Sequence, residues 1–183
     1  MTGARITFKM DDKAFEDSVA KLGGVLKTGV IRAIGEALVE EVNKRFETGK
    51  DPLRQNWHPL LPAYAAIKKG PGILRASLML QRSVIFSASG NQVTIGSNSI
   101  YAGVHQFGAK ITAKNGKGLA FMLGGHAGTA GKGAMGPFKA SSRGLVFAKS
   151  VTIPARPYLG FGPMDQRAVM ETLATFIGRT FSG

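Results

Sequence analysis

The sequence predicts an α+β fold: a small antiparallel β-sheet packed against a long N-terminal helix and a C-terminal helix, with a long Gly-rich β-hairpin arm. Three observations carry the prediction. An apolar stripe at helical spacing runs from Phe15 to Phe46, and two alternating segments flank Gly90-Asn91. Beyond Gly108 the texture turns to Gly, Ala and Lys without periodicity. At 183 residues, 44% of them hydrophobic, the chain suits a single domain over 1–183 with a core of its own.

The elements follow in order. Residues 5–10 alternate polar and apolar side chains and read as a strand. Asp11 or Asp12 then offers an N-cap. Phe15, Val19, Leu22, Leu26, Val30, Ile34, Leu38, Val42 and Phe46 form one stripe, widened by Ile31 and Val39. Gly23-Gly24 breaks it into a short helix and a long one from about 25 to 47. Glu36, Glu40, Glu41, Lys44 and Arg45 fall on the outer face, with Glu40–Lys44 and Glu41–Arg45 spaced as i,i+4 pairs.

Pro- and Gly-rich turns follow. One helical turn is expected at Tyr64–Ile67 and a short helix or helix end at 73–82. Val84 and Phe86 share one face, as do Val93 and Ile95, which makes a hairpin with a tight Ser-Gly-Asn turn. Residues 98–107 suggest a brief helix capped by Asn98 or Ser99. The arm spans 109–152: apolar flanks Leu119–Leu123 and Leu145–Val151 pair around a loop at 124–144 that is too long for an ordinary turn. Pro163 suits the first position of the last helix, Asp165 its first turn, and Val169, Leu173, Phe176 or Ile177, and Phe181 its apolar face.

Charge is distributed unevenly. No Asp or Glu lies between Asp51 and Asp165, a stretch that carries thirteen Lys or Arg. Residues 1–51 hold nine acids and nine bases, and 165–183 hold two of each, so the net charge of +13 resides in the middle. Such a stretch cannot supply a carboxylate pair for general acid–base work or a hard-metal site. It suits a polyanion or an acidic protein surface, and its bland alternative is a solvated basic face. No run of five or more bases occurs, so the field is dispersed.

Cysteine is absent, which removes disulfides and thiolate chemistry. No signal-peptide pattern opens the chain and no apolar run approaches the roughly 20 residues that span a bilayer, so a soluble protein is expected. The three histidines, His58, His105 and His126, lack ligand spacing, and neither G-x-S-x-G nor a P-loop occurs. His58 and His105 suit packing or a local hydrogen bond. A hydrolase built on His105 is the remote catalytic alternative. No cofactor, metal or catalytic residue is assigned.

A series of short motifs stands out: Arg45-Phe46; Asp51-Pro52 with Trp57-His58-Pro59-Leu60; Tyr101-Ala102; His105-Gln106-Phe107-Gly108; and Ile153-Pro154-Ala155-Arg156-Pro157-Tyr158-Leu159-Gly160. Ile73-Leu74, Leu78 and Ile95-Gly96-Ser97 sit between them. In this order, from about residue 5 to 180, the chain resembles the phage virion morphogenesis family, typified by the G protein of Mu-like tailed phages, and the broader tail-completion and neck proteins. A glycine usual shortly after the Asp-Pro pair is missing here, where the run continues Leu53-Arg54-Gln55-Asn56-Trp57.

The resemblance implies a non-enzymatic structural protein of the head–tail junction, a tail-terminator or stopper-like neck subunit. It implies a homo-oligomeric ring around the DNA channel, with portal, tail-tube or other neck proteins as partners and non-specific contact with packaged DNA. The location implied is the virion neck, and the host cytoplasm during assembly; neither a membrane nor a small-molecule substrate is implied. On that reading Lys110, Lys114, Lys117, Lys132, Lys139, Arg143 and Lys149 face the channel or a neighbouring subunit, the alternative being that they only solubilise the loop. Trp57, Tyr101, His105, Phe107 and Arg156 either fix the subunit interface or pack in the core and turns. The rival function is a non-specific nucleic-acid-binding protein.

Overall fold

The computed structural model describes residues 4–9, 24–68, 70–90, 92–113, 119–122, 139–140 and 145–181. In chain order these form β1 (Ala4–Lys9), α1 (Gly24–Thr48), α2 (Pro62–Ile67), α3 (Met79–Arg82), β2 (Val84–Ser89), β3 (Gln92–Ser97) and α4 (Ala102–Phe107). Then come β4 (Ala109–Thr112), β5 (Leu119–Met122), β6 (Lys139–Ala140), β7 (Leu145–Ala148), β8 (Ser150–Ile153) and α5 (Pro163–Phe181). The α+β architecture is the one expected: a long helix, a C-terminal helix and small antiparallel sheets. The short helix expected over 11–22 lies outside the described residues.

The first sheet has the order β1-β3-β2, wholly antiparallel. Ile6 lies opposite Ile95 and Phe86 opposite Ile95 on the other side, so Ile95 sits in the middle of the sheet. Val84, Val93 and Ile95 are buried while Ile85 is exposed, as the alternation requires. α1 covers the buried face. Its stripe of Val30, Ile31, Ile34, Leu38, Val42 and Phe46 forms the core with those strand residues. At Gly35 the helix comes so close to the sheet that a methyl group would overlap the Phe86 ring. α5 adds Val169 and Leu173, with Phe176 partly buried; its main neighbour is α1.

Four expectations need correction. Glu41 and Arg45 are both buried, not on the outer face. The pair between them does not form: Lys44 takes Glu41 at 2.7 Å and Glu40 at 3.2 Å, and Arg45 turns inward. Only Met79–Arg82 of the 73–82 segment is helical, because Leu74 and Leu78 adopt left-handed backbone, φ 59° at each. Neither Asn98 nor Ser99 occupies the cap position of α4, which is Tyr101 with no side-chain cap. Ser99 Oγ instead accepts the Tyr101 N–H at 3.3 Å.

The flanks of the expected arm do pair, Leu119–Met122 against Leu145–Ala148 and Ala109–Thr112 against Ser150–Ile153. They do so as two ladders in separate sheets, parted at Lys149. Of the loop at 124–144 only Lys139–Ala140 is described, pairing with β7. The hairpin tip therefore lies outside the described residues.

Candidate functional site

The motifs scattered along the sequence converge on one stretch, Ile153–Gly162. After Ile153 this segment is irregular, and Arg156, Tyr158, Leu159 and Gly162 are buried, so their backbone groups need partners that no sheet supplies. Side chains supply them. From α1, Arg45 donates through Nη1 to the Tyr158 carbonyl at 2.9 Å and the Gly160 carbonyl at 3.1 Å. From α4, Gln106 Nε2 donates to the Leu159 carbonyl at 2.7 Å. Its Oε1 accepts the N–H of Tyr158 at 3.1 Å and of Leu159 at 3.0 Å. Trp57 Nε1 donates to the Pro157 carbonyl at 2.8 Å, and the Arg156 N–H donates to the His105 carbonyl at 2.8 Å.

An ion pair fastens the last helix to the same place. Arg45 Nη2 pairs with Asp165, which is 1% exposed. Asp165 also accepts the Gly162 N–H at 2.8 Å, which is one half of a capping box at the start of α5. Burial raises the Asp165 carboxyl above its ordinary value, with Arg45 and the Gly162 N–H holding against it. Tyr158 is fully buried and stacks at 5.1 Å on Phe46, which also meets Trp57 edge-on at 5.6 Å. Burial pushes the Tyr158 hydroxyl up to about 12, and a hydrogen bond to Ser97 works against that shift.

Glycine is required where these pieces touch. A side chain at Gly162 would overlap the Pro52 carbonyl, and one at Gly160 would meet the Pro52 ring, so the Asp51-Pro52 turn lies directly on the Gly160-Phe161-Gly162 run. The turn itself closes without the missing glycine: the Gln55 N–H donates to Asp51 Oδ1, and Arg54 takes a left-handed φ of 66°.

The five motif residues thus divide. Trp57 and Arg156 are buried and hold the segment in place. Arg156 donates through Nε to the His58 carbonyl at 2.8 Å and through Nη2 to the Pro59 carbonyl at 3.1 Å. Burial lowers its guanidinium below the ordinary value. His105 is half-buried, its Nδ1 without a hydrogen-bond partner among the described residues, and burial followed by Arg156 lowers its imidazole. Among the described residues no carboxylate bonds its Nδ1, the place the third group of a triad would take. Tyr101 and Phe107 are 60% and 72% exposed, and with Ile100 and Ile111 they put four large apolar side chains on the surface within twelve residues.

The basic residues divide too. Lys110 lies exposed on β4 opposite Thr152, and Lys149 lies exposed where β7 passes into β8, so the first belongs to the β4–β8 ladder and the second adjoins its end. Lys139 is on β6. Lys114, Lys117, Lys132 and Arg143 lie outside the described residues. Among the described residues no group of three or more His, Asp or Glu is placed to hold a metal ion. No helix among them is long and apolar enough to cross a membrane.

Arg45, Gln106 and Tyr158 fall within the quoted motifs and Asp165 in the first turn of the last helix, yet none of the four is among the expected site residues. Their presence in the motifs was the available signal; their joint role at Ile153–Gly162 is set by the tertiary fold.

Comparison with known proteins gives the arrangement a family. The chain is similar to the Mu-like prophage FluMu G protein 2 of Haemophilus influenzae, 24% identical over 147 residues that cover 80% of this chain and 75% of that protein. No solved structure matches it. The model of the phage virion morphogenesis family matches residues 10–177, a span that takes in α1, every motif that meets at Ile153–Gly162 and most of α5, and the chain belongs to that family.

Proposed function

We propose that the protein is a structural subunit of the tailed-phage head–tail junction, a tail-completion or neck protein that forms a ring around the DNA channel and joins head to tail. The observation that carries this reading is its membership of a virion morphogenesis family, matched over residues 10–177. The surface chemistry supports it. A rigid hub fixes the long helix, the C-terminal helix and the β4–β8 ladder relative to one another, which a ring subunit needs for repeated identical contacts.

Residues 100–111 offer exposed apolar side chains for a neighbouring subunit. Lys110 and Lys149 beside them present dispersed positive charge. Packaged DNA can slide past such a field without being gripped, since few phosphates are neutralised at once. The role needs no catalysis. Lys114, Lys117, Lys132, Lys139 and Arg143 add positive charge to the same stretch of sequence and serve the same contact on this reading.

Deleting the gene from its phage and examining lysates by electron microscopy tests the proposal. DNA-filled heads and separate tails, restored to joined particles by the gene in trans, are the expected result. Normal joined particles overturn it. If, in addition, the isolated monomer binds free duplex with a steep salt dependence, the nucleic-acid-binding alternative replaces it.

A further inference from the structure

A groove of about 670 Å³ lies between the 58–80 segment and β8. Its walls are mainly apolar, with Leu60, Leu74, Leu80, Tyr101, Ile153 and Pro154 among them. Among the described residues no acid lines it, and the ionisable groups that do are basic or aromatic. Two features distinguish it from a plain hydrophobic dent.

The first is Arg156, which lines the groove yet is only 6% exposed. Its hydrogen bonds go to neutral carbonyls of His58 and Pro59. Among the described residues no carboxylate reaches it, whereas the equally buried Arg45 has Asp165. A desolvated cation without a counter-charge is costly, and an incoming carboxylate relieves that cost. The second is the edge of β8. Val151, Thr152, Ile153 and Pro154 all border the groove. Alternate side chains of a strand point to opposite faces, so four consecutive residues border one groove when the strand presents its edge. Among the described residues β8 pairs only with β4, and none of them covers the other edge.

We propose that this groove docks an extended, apolar segment of a partner protein that adds to the edge of β8 and carries a carboxylate to Arg156. Main-chain hydrogen bonds to an edge strand give such docking its affinity, and the pockets for alternate side chains give it specificity. The occupant is a different protein, not a second copy of this chain. Residues 52–164 have no carboxylate to offer. Among the described residues the other carboxylates lie on α1, α5 and the Asp51 turn, not on an extended apolar segment, and Glu36, Glu40, Glu41, Asp165 and Glu171 are held by cations of this chain. The proposal draws on the joining role only for the source of the segment. Peptide binding reads it without virion assembly, so its failure leaves the joining role standing.

The test titrates the full chain with three blocked octapeptides of alternating Val and Ser that carry a central Glu, Gln or Lys, and follows amide shifts by NMR. The expected result is shifts at Val151–Ile153 and at least about tenfold tighter binding of the Glu peptide than of the Gln peptide, a coupling ordinary for a desolvated charge pair. That preference falls to about onefold in Arg156→Gln. Met79 is 71% exposed at the groove and begins α3, where an acid is tolerated, so Met79→Glu leaves the fold intact and repels the Glu peptide. Equal affinity for Glu and Gln peptides overturns the proposal, as does indifference to Met79→Glu. Self-association of the wild type that Met79→Glu abolishes would assign the groove to a second copy, and duplex DNA shifting the same amides would assign it to nucleic acid; either result overturns the proposal.

Discussion

Removing the charge at Asp165 should unfold this protein more readily than any surface change of the same kind. In Asp165→Asn the side chain keeps its shape and can still accept the Gly162 N–H, but Arg45 is left as a buried cation facing an amide and two carbonyls. Breaking a buried pair from one side costs about 3–5 kcal/mol. A domain of this size is stable by only about 5–15 kcal/mol, so about a fifth or more is lost. Arg45→Met should cost at least as much, since it also strips the Tyr158 and Gly160 carbonyls of their donor. The double change Arg45→Met with Asp165→Leu leaves no buried charge and should fall short of the sum of the single losses by roughly 2 kcal/mol. Urea unfolding followed by fluorescence reads all three, because Trp57 is the single tryptophan and packs in the core against Phe46. The reference is Glu36→Gln, whose partner Arg32 is as exposed as itself, and which should stay within about 0.5 kcal/mol. Losses below about 1 kcal/mol at Asp165, or strict additivity in the double variant, would refute the reasoning.

Other positions give independent checks. Gly35→Ala improves helix propensity by up to about 1 kcal/mol, yet it should destabilise by a net 1–2 kcal/mol, roughly, because the methyl group meets the Phe86 ring; adding Phe86→Leu should restore part of the loss in thermal melts. Trp57→Phe keeps most of the packing and leaves the Pro157 carbonyl without its donor, a loss of about 1–3 kcal/mol measurable by circular dichroism. His105 has a folded-state pKa below 6.5, so the unfolded chain takes up its proton first. Stability should therefore fall as pH drops through 6.5, and the fall should vanish in His105→Gln when urea midpoints are compared between about pH 7.5 and 5.5.

The fold was legible where periodicity speaks. The part of the stripe from Val30 to Phe46 and the alternation around Gly90 each follow from side-chain spacing alone, and both appear in the core. The family was legible in the order of its short motifs. The physical reason for that order was not. Arg45 and Glu41 are spaced as a surface pair on an isolated helix, and only the tertiary fold shows that Arg45 turns to an acid 120 positions away. Gln106 carries no periodic signal, yet it satisfies three backbone groups of the buried segment. The apolar run 73–82 looked helical because nothing in its composition declares that Leu74 and Leu78 take left-handed backbone. The absence of carboxylates from 52–164 was plain from the start. That Arg156 is buried at a groove with no counter-charge among the described residues required the structure.

The joining role is tested most directly by electron cryomicroscopy of the head–tail junction in intact virions. The account predicts a closed ring of this chain between portal and tail tube, with Lys110 and Lys149 of each copy turned to the DNA channel or to a neighbouring subunit. A junction built without this chain, or a ring in which the β4–β8 ladder faces outward into solvent, would contradict it.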